Sequence, residues 1–83
     1  MYHVIEFVTS WWADLEREPS QPVQRVLLGR GSRRRAESRP RIVEGVTGPV
    51  EVADLYFEDG SIARGVPFAS LRFVDGPAPK PAD

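Results

Sequence analysis

Arginines dominate one short stretch of this chain. Residues 25–41 contain seven arginines and a single carboxylate, a net charge of +6, whereas the remaining residues carry a net charge of −7. The overall charge of −1 therefore conceals a segregated distribution. Guanidinium groups bind phosphate oxygens through paired hydrogen bonds, and clustered positive charges are stabilised by a polyanion. The pattern predicts that an anion contacts the arginines after Gly29, namely Arg30, Arg33, Arg34, Arg35, Arg39 and Arg41.

Three partners of this arginine segment remain open from the sequence. The first is nucleic acid, whose phosphates the arginines would contact with little sequence preference. The second is an acidic protein surface. The third is water together with the acidic remainder of the chain, because runs of like charge commonly form solvated segments. Nucleic acid is the first hypothesis, because it is the commonest polyanion that such a cluster binds, and a protein partner is the alternative.

Adjacent tryptophans form the second unusual feature. Side chains of neighbouring residues point in different directions on a strand or a helix, so Trp11 and Trp12 cannot both enter one small core easily. We expect one ring to pack inside and the other to cover an end of the fold or to lie in an interface, where tryptophan is enriched. A structural or adaptor subunit, for example of a phage particle or another assembly, would use this pair together with the arginines.

Residue types that support catalysis are scarce. The chain has no cysteine and one histidine, His3, so thiolate chemistry and a histidine-rich metal site are excluded. No second histidine can activate a serine nucleophile. The carboxylates Asp54, Glu58 and Asp59 cluster on one predicted hairpin, where we expect solvated strand and turn residues. The sequence therefore predicts a non-enzymatic binding module without a cofactor or a metal.

Hydropathy indicates no membrane segment and no export signal. The apolar runs are two or three residues long, such as Val26-Leu27-Leu28, whereas a membrane-spanning helix needs about 20 residues. The first residues lack a basic segment followed by an apolar one. We therefore expect a cytoplasmic protein of a bacterial or phage-infected cell. The oligomeric state is left open.

Short strands separated by glycine and proline turns account for most of the chain. Apolar and β-branched residues predict strands at 2–9, 23–28, 41–44, 50–57, 62–66 and 71–74, with one helical turn at 68–71. Asp59-Gly60 is a strong signal for a tight hairpin turn. Residues 10–17 fit either a strand or a short helix, and residues 29–41, which lack apolar periodicity, predict a mobile loop. One domain at 1–75 and a flexible proline-rich tail at 76–83 complete this interpretation.

Residues 50–74 resemble the second half of an SH3-like barrel of the Tudor, Agenet or KOW type. The resemblance rests on the strand ending in Tyr56-Phe57-Glu58-Asp59-Gly60, the returning strand ending in Val66-Pro67, and the final Leu71-Arg72-Phe73-Val74. The turn from Gly45 to Gly48 suits the same fold. The resemblance implies an all-β fold, a small SH3-like barrel of about five short strands, and it carries no function to this chain.

Overall fold

Antiparallel strands make up most of the computed structural model, which describes residues 1–17 and 22–77. A short 3₁₀ helix at Phe68–Ser70 precedes the last strand. No α-helix occurs within the two described ranges. The seven strands are β1 (His3–Phe7), β2 (Trp11–Arg17), β3 (Gln24–Leu28), β4 (Arg33–Gly45), β5 (Gly48–Phe57), β6 (Ser61–Pro67) and β7 (Leu71–Phe73).

One sheet contains all seven strands, in the order β3-β2-β6-β5-β4-β1-β7, and it curls into an antiparallel half-barrel. The 13-residue strand β4 joins the β1–β7 side of the sheet to the β5–β6 side. Residues Arg33 to Ala36 pair with β1, and Ala36 to Gly45 pair with β5. The all-β prediction is therefore confirmed, with seven strands in place of about five.

The concave side of the sheet holds the apolar core. Side chains alternate between the two faces of each strand, so every second residue points inward. Ile5, Phe7 and Leu55 are completely buried. The facing positions on β4 are small, because Ala36 lies directly across from Phe57 and Ser38 across from Leu55. Large and small residues thus fill the space between facing strands.

Two glycine turns set the hairpins that flank β5. Gly60 has φ +89° in the β5–β6 turn, and Gly48 has φ +124° at the end of the β4–β5 turn. These positive values favour glycine, because a Cβ atom makes them costly. The predicted hairpin at Asp59-Gly60 and the predicted helical turn after Pro67 are both confirmed.

The end of the β4–β5 hairpin extends beyond the other strands. β5 pairs with β6 only from Val52 onward, so residues 42–51, here called the ribbon, pair only with each other among the described residues. Val46 at its tip is fully exposed. The ribbon is therefore a two-stranded arm on the end of a larger sheet.

Residues 10–17, which fit either a strand or a short helix, contain strand β2, because β2 is hydrogen-bonded to both β3 and β6. The prediction of a mobile loop at 29–41 was largely wrong. Residues 33–41 belong to strand β4, and only residues 29–32 of the predicted loop connect strands. The predicted tail at 76–83 lies outside the described residues from position 78 onward. In the described ranges no helix is long and apolar enough to span a membrane.

Candidate functional site: an ion-paired arginine strand and a tryptophan patch

Strand β4 places four of its five arginines on the convex, outward face of the sheet. Residues at odd positions share that face, since Ala36 and Ser38 at even positions point into the core. Four of the six predicted anion-binding residues, Arg33, Arg35, Arg39 and Arg41, therefore form one row along a rigid strand. The structure brings these arginines together, and it does so on a hydrogen-bonded strand rather than on a loop.

Carboxylates from β1, β4, β5 and the β5–β6 turn accompany the arginines of β4. Each of the five predicted residues on β4 has a carboxylate oxygen within 4.0 Å, the cut-off for an ion pair. Apart from Asp54, these side chains are partly or largely open to water, so solvent screens the pairs and each contributes little to stability. The pairs are Arg33–Glu6 at 3.2 Å, Arg34–Asp59 at 3.8 Å, Arg35–Glu58 at 3.7 Å, Arg39–Glu37 at 3.1 Å and Arg41–Asp54 at 3.1 Å.

Aromatic rings support two of these guanidinium groups. Arg39 lies 4.2 Å from the ring centroid of Tyr56 on the outward face. Arg34 lies 4.2 Å from the ring centroid of Phe57, whose side chain belongs to the core. Such contacts hold a cation by the electrostatic attraction of the ring. The two arginines are therefore fixed by the fold on more than one side.

Asp54 is the best-connected carboxylate beneath the arginine row. It accepts hydrogen bonds from Arg41 Nε at 3.1 Å and Nη2 at 3.2 Å, and from the backbone N–H of Gly65 at 2.9 Å. Burial by itself raises the pKa of Asp54, but the hydrogen bonds from Arg41 and Gly65 and the positive charges of Arg41 and Arg64 lower the pKa below its ordinary value. Asp54 is thus a buried structural anion, which corrects its prediction as a solvated carboxylate.

Arg30 stands apart from the other predicted arginines. It lies in the turn between β3 and β4, where its backbone N–H donates a hydrogen bond to Ser10 Oγ at 3.0 Å. Its side chain has no carboxylate within 4.0 Å among the described residues, and the same is true of Arg25 on β3. The fold therefore neutralises most of the segment while these two arginines stay uncompensated.

The two tryptophans of β2 have different environments. Trp11 is half-buried and packs against the core, whereas Trp12 is 57% exposed on the outward face. Leu27, directly across from Trp12 on β3, is 47% exposed, and the guanidinium of Arg25 lies 5.9 Å from a Trp12 ring centroid. Val23 is 57% exposed just before β3. We call Trp12, Val23, Arg25 and Leu27 the tryptophan patch.

A hollow of about 370 Å³ borders this patch. Its described lining combines the two tryptophans and Val23 with the polar side chains of Asp14, Glu16 and Arg64. Glu16 and Arg64 form an ion pair across β2 and β6, so the charged rim is largely compensated. The hollow and the patch together give the β2–β3 end of the sheet an apolar surface.

Sequence reasoning missed two components of this surface. The sequence predicts Leu27 and Val23 in a strand but does not predict which face of the sheet they occupy, because the register between β2 and β3 decides that. Pairing of the arginines with the acidic remainder of the chain was one of the open alternatives, but the sequence could not name the partners, since Glu6 and Asp59 come from distant positions in the chain. Across residues 1–17 and 22–77, no three histidine or acidic side chains cluster closely enough to hold a metal ion.

Comparisons of this chain with protein-family models, with curated proteins and with solved structures find no match.

Proposed function

We propose that this chain is a small non-enzymatic interaction module, a structural or adaptor subunit that docks on a protein partner through the tryptophan patch. The single observation that carries the proposal is the exposure of Trp12 beside Leu27 on the outward face. The outward face along β4 consists largely of arginine–carboxylate pairs, whereas the patch exposes Trp12, Leu27 and Val23. The curled sheet serves as the rigid platform.

Energetic considerations favour a protein partner for such a patch. Exposed apolar clusters on small proteins mark interaction sites, and tryptophan and arginine are the residue types that most often dominate binding energy at interfaces. Arg25 over the Trp12 ring joins both types at one point. Covering the two side chains would remove apolar area from water, worth about 25 cal/mol for each Å².

Nucleic-acid contact through the arginines is the second candidate. The observation in its favour is the single row formed by Arg33, Arg35, Arg39 and Arg41, which phosphates could follow. Each of these guanidinium groups already has a carboxylate partner, so a phosphate must displace that partner and its neighbouring negative charge. This competition makes nucleic acid the weaker of the two candidates.

We also propose that the fold is of the SH3-like class in its second half. The order of the β5–β6 hairpin, the 3₁₀ turn and β7 supports this assignment, because it follows the arrangement predicted from residues 50–74. The two strands that pair outside β6, namely β2 and β3, then form an added hairpin, and it is this hairpin that carries the tryptophan patch.

Photo-crosslinking tests the choice between the two candidates. A benzophenone amino acid replaces Trp12 in one sample and Arg35 in another, and each is irradiated in a lysate of the producing cell. We expect a discrete adduct at position 12 that resists nuclease and is competed by excess unlabelled chain but not by the Trp12→Ala variant. An adduct confined to position 35 and removed by nuclease supports the second candidate. No competed adduct at either position overturns both.

A further inference from the structure

The ribbon combines exposed apolar side chains with uncompensated negative charge. Val46 is fully exposed, Ile42 is 58% exposed and Val50 is 38% exposed. Glu44 and Glu51 are exposed as well, and neither has a cationic group within 4.0 Å among the described residues. Residues 42–51 contain no lysine or arginine. The ribbon therefore presents an apolar arm with a net charge of −2.

The tryptophan patch offers the opposite charge on another part of the same molecule. Its exposed apolar residues surround Arg25, whose guanidinium rests over the Trp12 ring. Asp14 lies directly across from Arg25 in the β2–β3 pairing, yet its carboxylate is not within 4.0 Å of that guanidinium. Arg25 thus remains available to an incoming carboxylate. The turn at Arg30, at the far end of β3, adds a second uncompensated arginine.

A comparison of these two surfaces indicates which partner fits. Eight of the ten arginines form ion pairs within the fold, and Arg25 and Arg30 are the two without a carboxylate partner in residues 1–17 and 22–77. The ribbon carboxylates of Glu44 and Glu51 likewise have no cationic partner among the described residues. Complementary apolar surface and complementary charge therefore occur on two different parts of one chain.

We propose that the ribbon of one copy docks on the tryptophan patch of a second copy, a contact that rests on the proposed function and names its partner. Because the two contacting surfaces differ, the contact is heterologous. Repeating it adds copies head to tail, and the result is a ring when the rotation closes and a filament when it does not. In the docked state Val46 and Ile42 cover Trp12 and Leu27, and Glu44 or Glu51 reaches Arg25.

A two-stranded arm gains from such docking. An isolated hairpin is only marginally stable in water, because it has too little buried apolar surface to offset the cost of ordering its backbone. Covering Ile42 and Val46 with a neighbouring copy supplies that burial. Contact with Arg25 of the neighbouring copy would also reduce the repulsion between Glu44 and Glu51, which lie on the same ribbon.

Complementation between two impaired variants tests the proposal. Trp12→Ala removes the centre of the patch and leaves the ribbon intact, whereas Val46→Asp removes the ribbon tip and leaves the patch intact. Both positions are exposed, so both variants should retain the wild-type circular dichroism spectrum. Tyr2→Ser is the matched control, because Tyr2 is also exposed and directly precedes β1, which is well separated from β2 and β3 in the strand order.

Sedimentation velocity is measured from about 10 µM to about 1 mM protein, the range in which weak contacts form. We expect wild-type and Tyr2→Ser chains to assemble beyond dimers, and each impaired variant alone to bind itself at least about tenfold more weakly. Mixed together, the two variants should form a complex of one copy each and nothing larger, because only one functional contact remains.

Other outcomes overturn the head-to-tail contact. Continued dimerisation of Trp12→Ala alone would show that ribbons pair with ribbons, and dimerisation of Val46→Asp alone would show that patches pair with patches. A wild-type chain that stays monomeric at about 1 mM, where even millimolar contacts form, removes the second copy as partner. If the wild-type chain stays monomeric but the position 12 adduct in the lysate is with a different protein, the proposed function still holds and only the second copy is excluded as the partner.

Discussion

The Arg41–Asp54 contact provides a quantitative test of whether the arginine segment is part of the folded sheet. A double-mutant cycle combines Arg41→Ala with Asp54→Asn, and the amide keeps an acceptor for the Gly65 N–H. The interaction involves Arg41 Nε and Nη2 at 3.1–3.3 Å from the carboxylate oxygens. The Asp54 side chain is 12% exposed and the Arg41 side chain 47% exposed.

The expected coupling free energy lies between two limits. Hydrogen bonds to buried charged groups contribute about 1.5–3 kcal/mol, whereas exposed ion pairs contribute about 0.2–1 kcal/mol. Because one partner is mostly buried and the other is half exposed, we expect about 1–2 kcal/mol. The Arg39–Glu37 pair on the same strand, 60% and 33% exposed, is the control, and its coupling should be smaller because solvent screens it.

Urea denaturation at pH 7 measures both cycles, and repetition at lower pH tests the electrostatic origin of the coupling. The pKa of Asp54 is lower in the folded chain than its ordinary value, so the contribution of the ionised pair is complete above the unfolded pKa of about 3.9. The contribution is lost as the pH falls through the lower folded pKa. Equal coupling in the two cycles, or no coupling for Arg41 and Asp54 at pH 7, would refute the placement of this segment in β4.

Three further predictions concern stability and are measured by denaturant or thermal unfolding. Ser38→Ala should stabilise the fold by about 1 kcal/mol, because its buried Oγ has no hydrogen-bond partner among the described residues. Ser61→Ala should destabilise the fold by about 1 kcal/mol, because it removes the part-buried hydrogen bond that Ser61 Oγ donates to Asp59; effects of the same sign would contradict this. Gly60→Val should cost about 1–3 kcal/mol because φ there is +89°, and an unchanged midpoint would reject the turn. Trp11→Ala should cost about 2 kcal/mol or more and Trp12→Ala less than about 0.5 kcal/mol; similar losses would place both rings in the core.

The second half of the fold was predictable because its signals are local. The Asp59-Gly60 turn, Pro67 and the apolar strands around them act over a few residues, and each appears where the sequence indicates. An all-β sheet follows from these elements. The number of strands does not follow, because β2 comes from residues that also fit a helix and most of β4 comes from the arginine segment.

Residues 33–40 of strand β4 could not be recognised as a strand from their own types, although the sequence predicts a strand at 41–44. The inward positions of residues 33–40 carry Ala36, Ser38 and Pro40 rather than large apolar side chains, because Phe57 and Leu55 on β5 fill the space across from them. Pro40 is tolerated since this part of β4 pairs with β5 alone. The hydrophobic pattern that identifies a half-buried strand is therefore absent, and only cross-strand partners reveal it.

The candidate site was predictable in its residue types but not in its arrangement. Adjacency of Trp11 and Trp12 already indicates that the two rings separate, since neighbouring side chains on a strand take opposite faces. The excess of arginine predicts contact with an anion, and the sequence leaves nucleic acid, an acidic protein surface and the acidic remainder of the chain open as partners. The fold supplies carboxylates from the chain itself, because Glu6, Glu58 and Asp59 reach the arginines after long-range strand pairing.

Salt-dependent binding of nucleic acid tests the central claim, that the fold neutralises the arginines and leaves protein docking as the main function. Fluorescence anisotropy of labelled random-sequence DNA and RNA is recorded over a range of salt concentrations for the wild-type chain and for an Arg33→Ala/Arg35→Ala variant. Because only two arginines lack a carboxylate partner among the described residues, the slope of log K against log salt should be no steeper than about −2, and the variant should match the wild type. Micromolar binding with a slope near −5 that is lost in the variant would contradict the account.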